Sequence, residues 1–310
     1  MIELSQFLNL PVEQVAALVR AAGPKVAVFP INGTRRWFAL EHPEAARGKD
    51  PVPAYMDISQ TRHIELYRLF FDHGVDTLLT PVFGSELFRR GDEYVRRIGM
   101  AGVARIAQHP EFLKFYDEYG VRVRFYGDYR RELAGTEYAS LIDIFDETTR
   151  RTRTYDRARL FFGVFASDAA ESTAGLAIDF YREQAKVPTR SEQVEMYYGE
   201  HVSPVNFFVG FDKLSVFDYP LLASGEEDLY FTVAPSLYLT EKQLREILYD
   251  HLYTRRAQEP DYGELTRDEW AWMRSFYASN REQTLGVGAL HGGLWYPAHQ
   301  PDSFGKTGGQ

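Results

Sequence analysis

The sequence predicts an α/β fold with a mainly parallel central sheet of about six strands flanked by helices. Two observations carry this reading. Six short apolar runs rich in β-branched and aromatic residues recur at 26–30, 77–83, 121–127, 160–165, 207–211 and 229–233. Amphipathic stretches with helix start and stop signals lie between them. Such alternation implies parallel strands whose helical crossovers cover both faces of the sheet.

Taken in order, residues 11–22 form the first predicted helix, opened by Pro11 and stopped by Gly23. The strand at 26–30 runs into a turn, Asn32-Gly33-Thr34, followed by Arg35, Arg36 and Trp37. Residues 41–57 carry three prolines and many charges with little periodicity, and read as either a plain loop or a lid over a site. A helix is expected over 59–71, ending near Gly74. Capping boxes at Thr189/Glu192, Thr240/Gln243 and Thr266/Glu269 each open a later helix. The second places Leu244, Ile247, Leu248 and Leu252 on one face. With no internal repeat or linker, residues 1–296 read as one catalytic domain, and the Gly-rich 297–310 as a disordered tail.

Composition narrows the function classes. The net charge of −9 argues against a general nucleic-acid binder. The absence of cysteine removes disulfides, thiolate nucleophiles and Cys-ligated metal sites. No apolar stretch approaches the roughly 20 residues that span a bilayer, and no secretion signal is visible, so a cytoplasmic protein is expected. Phe, Tyr and Trp make up 15% of the chain, which fits an aromatic core or an aromatic-walled cavity.

In parallel sheets, ligands bind beyond the C-terminal ends of the strands. The turn at 32–37 follows the first strand and falls at that end. A glycine turn with free backbone N–H groups, the Thr34 hydroxyl and two guanidiniums is either an oxyanion cradle or a surface turn. Lys213 and Ser215, after the fifth strand, either complete a phosphate site or belong to a solvated turn. Tyr55 and Tyr94 fall near possible rim loops, where a phenol can donate to a leaving oxygen or face a cation. The eight histidines show no metal-ligand spacing, and His251 reads as a packing or surface residue. The chain has no DDxxD or DxDD box, no P-loop, and no GxSxG or HExxH motif.

Four motifs in order resemble the (Z)-prenyl diphosphate synthase superfamily, whose best known member makes undecaprenyl diphosphate. INGTRRW (31–37) looks like its M-D-G-N-x-R-W/Y loop, and VRVRFYGD (121–128) like its V-R-x-R-x-I-G-D strand. KLS (213–215) sits where that family has R-x-S, and DLYFT (228–232) looks like its E-L-Y-F-T strand. A narrower branch, that of tuberculosinol and kolavelool synthases, is similar over nearly the whole length, in GTRRWF (33–38), FYGDY (125–129), FGVF (162–165), DAAES (168–172), YYGE (197–200), FDYPLL (217–222), LYFTVAPS (229–236) and ILYDH (247–251).

The resemblance implies an undecaprenyl diphosphate synthase-like fold and a diterpene synthase. Such an enzyme ionises a bicyclic diterpenyl diphosphate and quenches the allylic cation with water. Transfer to a nucleophile such as adenosine, or a non-catalytic prenyltransferase subunit, are the alternatives. By motif, Arg35 and Arg36 would neutralise the departing diphosphate. Gly33 and Thr34 would supply donors, Trp37 would join the substrate-binding set, Tyr55 and Tyr94 would line the reacting end, and Lys213 and Ser215 would hold distal oxygens. The family's loop Asp, which organises magnesium–diphosphate, is Asn32 here, so Mg2+ is expected to act with weaker protein ligation. Phe207 falls where elongating relatives have a further diphosphate-binding Arg. A separate class II cyclase would supply the substrate, because the chain lacks a protonating Asp motif. The superfamily also implies a homodimer.

Overall fold

A computed structural model describes residues 2–84, 91–166, 169–257 and 260–298. Six parallel strands form one sheet in the order β3-β4-β2-β1-β5-β6: β1 (Val26–Val28), β2 (Thr77–Phe83), β3 (Val121–Tyr126), β4 (Ala158–Val164), β5 (Phe207–Phe211) and β6 (Asp228–Thr232). This is the fold class the alternating pattern predicts. Side chains alternate across the sheet with period two. Ala27, Phe29, Leu78, Leu160, Phe162, Phe207 and Val209 enter one buried cluster, with Phe70, Phe115 and Phe145 from the covering helices. Val26, Val28, Leu79, Phe161 and Phe208 enter the other, against Val194 and Tyr198. Most of the aromatic content is therefore core.

Several elements differ from the expectation. The segment 41–57 is largely helical and not an irregular loop. It holds a one-turn helix, Pro43–Ala46, and the start of a long helix, Val52–Asp72. Pro51 and Pro53 mark that helix start, because first-turn N–H groups have no intrahelical acceptor and proline there sacrifices nothing. Tyr55 consequently stands on the first turn of a rigid element. At the other end, Pro297 does not begin a tail. It closes an antiparallel hairpin of β7 (Gly288–His291) and β8 (Leu294–Pro297), and Ala298 N–H donates to Val287 O at 2.8 Å. The remainder of the expected tail lies outside the described residues.

The three capping boxes form as read, opening helices Arg190–Tyr198, Glu241–Tyr249 and Arg267–Asn280. Leu244 and Leu248 of the second are buried. His251 is buried too, its Nδ1 2.7 Å from the Asp228 carboxylate. Among the described residues no helix is long and apolar enough to cross a membrane.

Candidate active site

β1 and β5 are neighbours, so the turns that follow them lie side by side at the C-terminal edge of the sheet. After β1 the chain reaches Gly33, which caps the helix Thr34–Glu41 with φ +74°. Only a residue without a side chain fits there, since a Cβ would stand 2.8 Å from Phe211 Cε1 and 3.0 Å from Pro235 Cβ. Buried Ser236 pins this turn from behind. Its hydroxyl accepts from Asn32 N–H at 3.1 Å and donates to Pro30 O at 3.2 Å, while its own N–H donates to Asn32 O at 3.1 Å. The turn thus aims the helix's free N-terminal N–H groups and its paired arginines at one place.

That place is a cavity of about 730 Å3 lined by Asn32, Gly33, Thr34, Arg35, Arg36, Tyr55, Tyr94, Lys213 and Ser215 among others. Every residue assigned a catalytic or substrate-binding role from the sequence therefore lines it except Trp37, which is buried with its ring edge-on to His42 at 5.4 Å. Thr34 Oγ1 and the Tyr55 hydroxyl are hydrogen-bonded at 2.7 Å. The Arg35 guanidinium lies over the Tyr94 ring at 4.7 Å and that of Arg36 over Phe211 at 5.4 Å. These rings hold the cations in place without discharging them. Lys213 and Ser215 stand on the exposed rim. Phe207, in contrast, is fully buried at the start of β5.

Three wall residues, Asp212, Gln60 and His63, and one residue behind the wall, Ser236, carry chemistry that the sequence reading missed. Asp212, with a left-handed φ of +72°, places its carboxylate 3.8 Å from Arg36. Ser236 is the brace described above. Gln60 and His63 face the cavity from the long helix, one and two turns beyond Tyr55. His63 Nδ1–H donates to Ser59 O at 2.7 Å, and burial holds the imidazole down to about 4, a shift that this bond opposes. Burial likewise pushes the Tyr67 phenol up. The signal for His63 was helical spacing, 55, 59, 63 and 67, which becomes readable only once the helix is known to begin at Val52.

The cavity changes character with depth. Its mouth is cationic, and its remaining walls are mostly apolar or aromatic, with Met56, Phe83, Ile98, Val103, Ile106 and Phe112, interrupted by Gln60, His63 and Arg105. One side is a π-helical segment, Val95–Met100, continuing into helix Ala101–Gln108. Such insertions recur at functional sites. This shape suits an amphiphile with an anionic head and a hydrocarbon body.

The chain is 43% identical over 296 residues to tuberculosinyl adenosine transferase of Mycobacterium tuberculosis, covering 94% of this chain and 97% of that protein. It belongs to that family. It is also 30% identical over 300 residues to the (+)-kolavelool synthase of Herpetosiphon aurantiacus, covering 95% of each. No protein-family model matches the chain. Two solved structures share its fold at low identity. One is a probable undecaprenyl diphosphate synthase of Campylobacter jejuni, with TM-score 0.54 and 14% identity over 78% of this chain and 99% of that one. The other is lavandulyl diphosphate synthase of Lavandula x intermedia, with TM-score 0.59 and 12% identity over 79% of this chain and 100% of that one. The family is one of diterpenyl-processing enzymes on the cis-prenyl diphosphate synthase fold.

Proposed function

We propose that this chain is a diterpene synthase that ionises a bicyclic diterpenyl diphosphate and adds water to the resulting allylic cation. The observation that supports it best is the paired arginines and the Thr34–Tyr55 hydroxyl pair at the mouth of an apolar, aromatic-walled cavity. The C–O bond breaks with its electron pair going to the diphosphate oxygen. Arg35, Arg36 and the N–H groups of the Thr34–Glu41 helix stabilise that charge without reorganising. The rings of Tyr55, Tyr94 and Phe83 face the carbocation. Water then forms the new C–O bond at the tertiary allylic carbon, and its proton passes to the departing diphosphate. Lys213 and Ser215 hold distal oxygens from the rim.

Mg2+ is proposed as the cofactor. Among the described residues no group of three or more His, Asp or Glu could cage a metal ion. The Asn32 amide and the Asp212 carboxylate both line the mouth, which fits an ion that needs one or two protein oxygens and takes the rest from phosphate and water. When bound, it would supply further charge neutralisation at the leaving group.

Incubation with kolavenyl, tuberculosinyl and geranylgeranyl diphosphates, with and without Mg2+, followed by mass analysis of extracts, tests the reading. A diterpene alcohol such as kolavelool or tuberculosinol from a bicyclic substrate is expected. The 43% identical relative supports a second reading, transfer of the diterpenyl group to adenosine, which the same assay reveals when adenosine is added. Turnover of nothing would leave the non-catalytic subunit. We also propose that the substrate comes from a separate class II cyclase and that the protein works as a homodimer. Helix Arg267–Asn280, which buries none of its residues and exposes Trp270, Trp272 and Tyr277, supports the dimer. Light scattering that returns a monomer mass at micromolar concentration counts against it.

A further inference from the structure

The long helix Val52–Asp72 measures depth along the cavity. Tyr55 marks the anionic end through its bond to Thr34. At about 1.5 Å of rise per residue, His63 lies ~12 Å further in, beside the body of the bound molecule and away from its diphosphate. This part of the wall is not plain hydrocarbon, because Gln60, His63 and Arg105 all line it.

Two of these three are hydrogen-bonded to each other and to neighbours. Gln60 accepts from Arg105 Nε at 2.9 Å and donates to His109 Nδ1 at 2.8 Å, while Arg105 also pairs with Asp57. His63 is different. Its Nδ1–H is committed to Ser59 O, which fixes the tautomer and leaves a lone pair on Nε2. No hydrogen bond reaches Nε2 among the described residues, and the ring lines the cavity. The same cavity has open space at Gly102. A Cβ on Gly102 would meet only Met56 Cε at 3.8 Å, whereas one on Gly99 would stand 2.3 Å from the Phe83 ring.

A wholly hydrocarbon ligand would seal that acceptor away from water without a partner, which binding does not favour. A hydroxyl on the ligand would satisfy it. We propose that His63 Nε2 accepts a hydrogen bond from a hydroxyl on the terpenyl body, so that the preferred substrate is an oxygenated twenty-carbon diterpenyl diphosphate. This rests on the diphosphate reading above, and assigns to His63 a specificity role remote from bond cleavage. It also requires a hydroxylating step to precede this enzyme.

The test compares one bicyclic diterpenyl diphosphate with a panel of the same molecule bearing single ring hydroxyls. Dissociation constants by calorimetry and kcat/KM by diphosphate release are both measured. At least one hydroxylated member is expected to gain about tenfold or more, equivalent to ~1.4 kcal/mol. His63→Leu should erase that preference while raising affinity for the deoxy compound, and His63→Gln should restore part of it. Equal binding and turnover across the panel, or a preference unchanged in His63→Leu, overturns the assignment and leaves the diphosphate reading intact. No binding of any member overturns both. If His63→Leu does not fold, the wild-type panel alone decides.

Discussion

Gly33 is the point at which backbone conformation and leaving-group chemistry are most tightly joined, and Gly33→Ala separates them. The substitution adds two distinct penalties. Its φ of +74° is left-handed, which costs an L-residue with a Cβ about 1–2 kcal/mol. The new methyl would also stand 2.8 Å from Phe211 Cε1 and 3.0 Å from Pro235 Cβ, an overpacking that costs about 1–3 kcal/mol. Together they predict a loss of roughly 2–5 kcal/mol in urea unfolding. Phe211 also carries Arg36 on its ring at 5.4 Å. Displacing that ring shifts the guanidinium, and a misplacement of about 1 Å can lower kcat/KM by ~100-fold. Phe211→Leu in the Gly33→Ala background should relieve the steric part and leave the backbone part. A double-mutant cycle should therefore return a coupling of about 1–3 kcal/mol. Gly33→Ala that unfolds within ~0.5 kcal/mol of wild type and releases diphosphate at an unchanged rate refutes the account of the pinned turn.

Three further outcomes are expected. Arg36→Ala should lower diphosphate release by about 100- to 1,000-fold, far more than Asn32→Ala, whose amide brings no charge; equal and negligible effects would sink the site assignment. Asp212→Asn should raise the Mg2+ concentration needed for half-maximal rate several-fold, with saturating Mg2+ restoring most of the rate, and an unshifted Mg2+ titration removes Asp212 as a ligand. Stability should fall as pH drops from about 6.5 towards 4, because the unfolded chain takes up a proton that native His63, held at about 4, refuses. That contribution is at most about 3 kcal/mol, and burial of His73 and His251 lowers their pKa values as well. Acid titration of His63→Leu by chemical denaturation should therefore be shallower, without becoming flat.

Local signals were legible wherever they were also sufficient. Each capping box at Thr189, Thr240 and Thr266 needs only its own four residues, and each formed. The strand runs were readable because both faces of a parallel sheet are buried, so a continuous apolar run has few other uses. Strand ends were less legible. β1 stops at Val28 because Phe29 leaves the strand while still donating to Leu79 O. The segment 41–57 misled because proline has opposite meanings at a helix start and inside a helix, and only the register of the following apolar face decides which applies. The turn at 32–36 was readable from its residue types. Its brace was not, since Ser236 is two hundred residues away and becomes relevant only when β6 pairs with β5. The same holds for Asp212, whose role depends on β1 and β5 being neighbours.

The four tryptophans are sorted by environment. Trp37 is buried in the helix that carries Arg35 and Arg36, whereas Trp270 and Trp272 stand exposed on Arg267–Asn280 and Trp295 is half-buried in β8. An emission spectrum of the unlabelled protein thus contains a blue component next to the cradle and a red component at the far C-terminal helix. Ligand titration should alter the first, and any association that covers the second should shift it to shorter wavelength. Three Trp→Phe variants would assign the components, giving site occupancy and self-association as separate optical readings from a single cuvette.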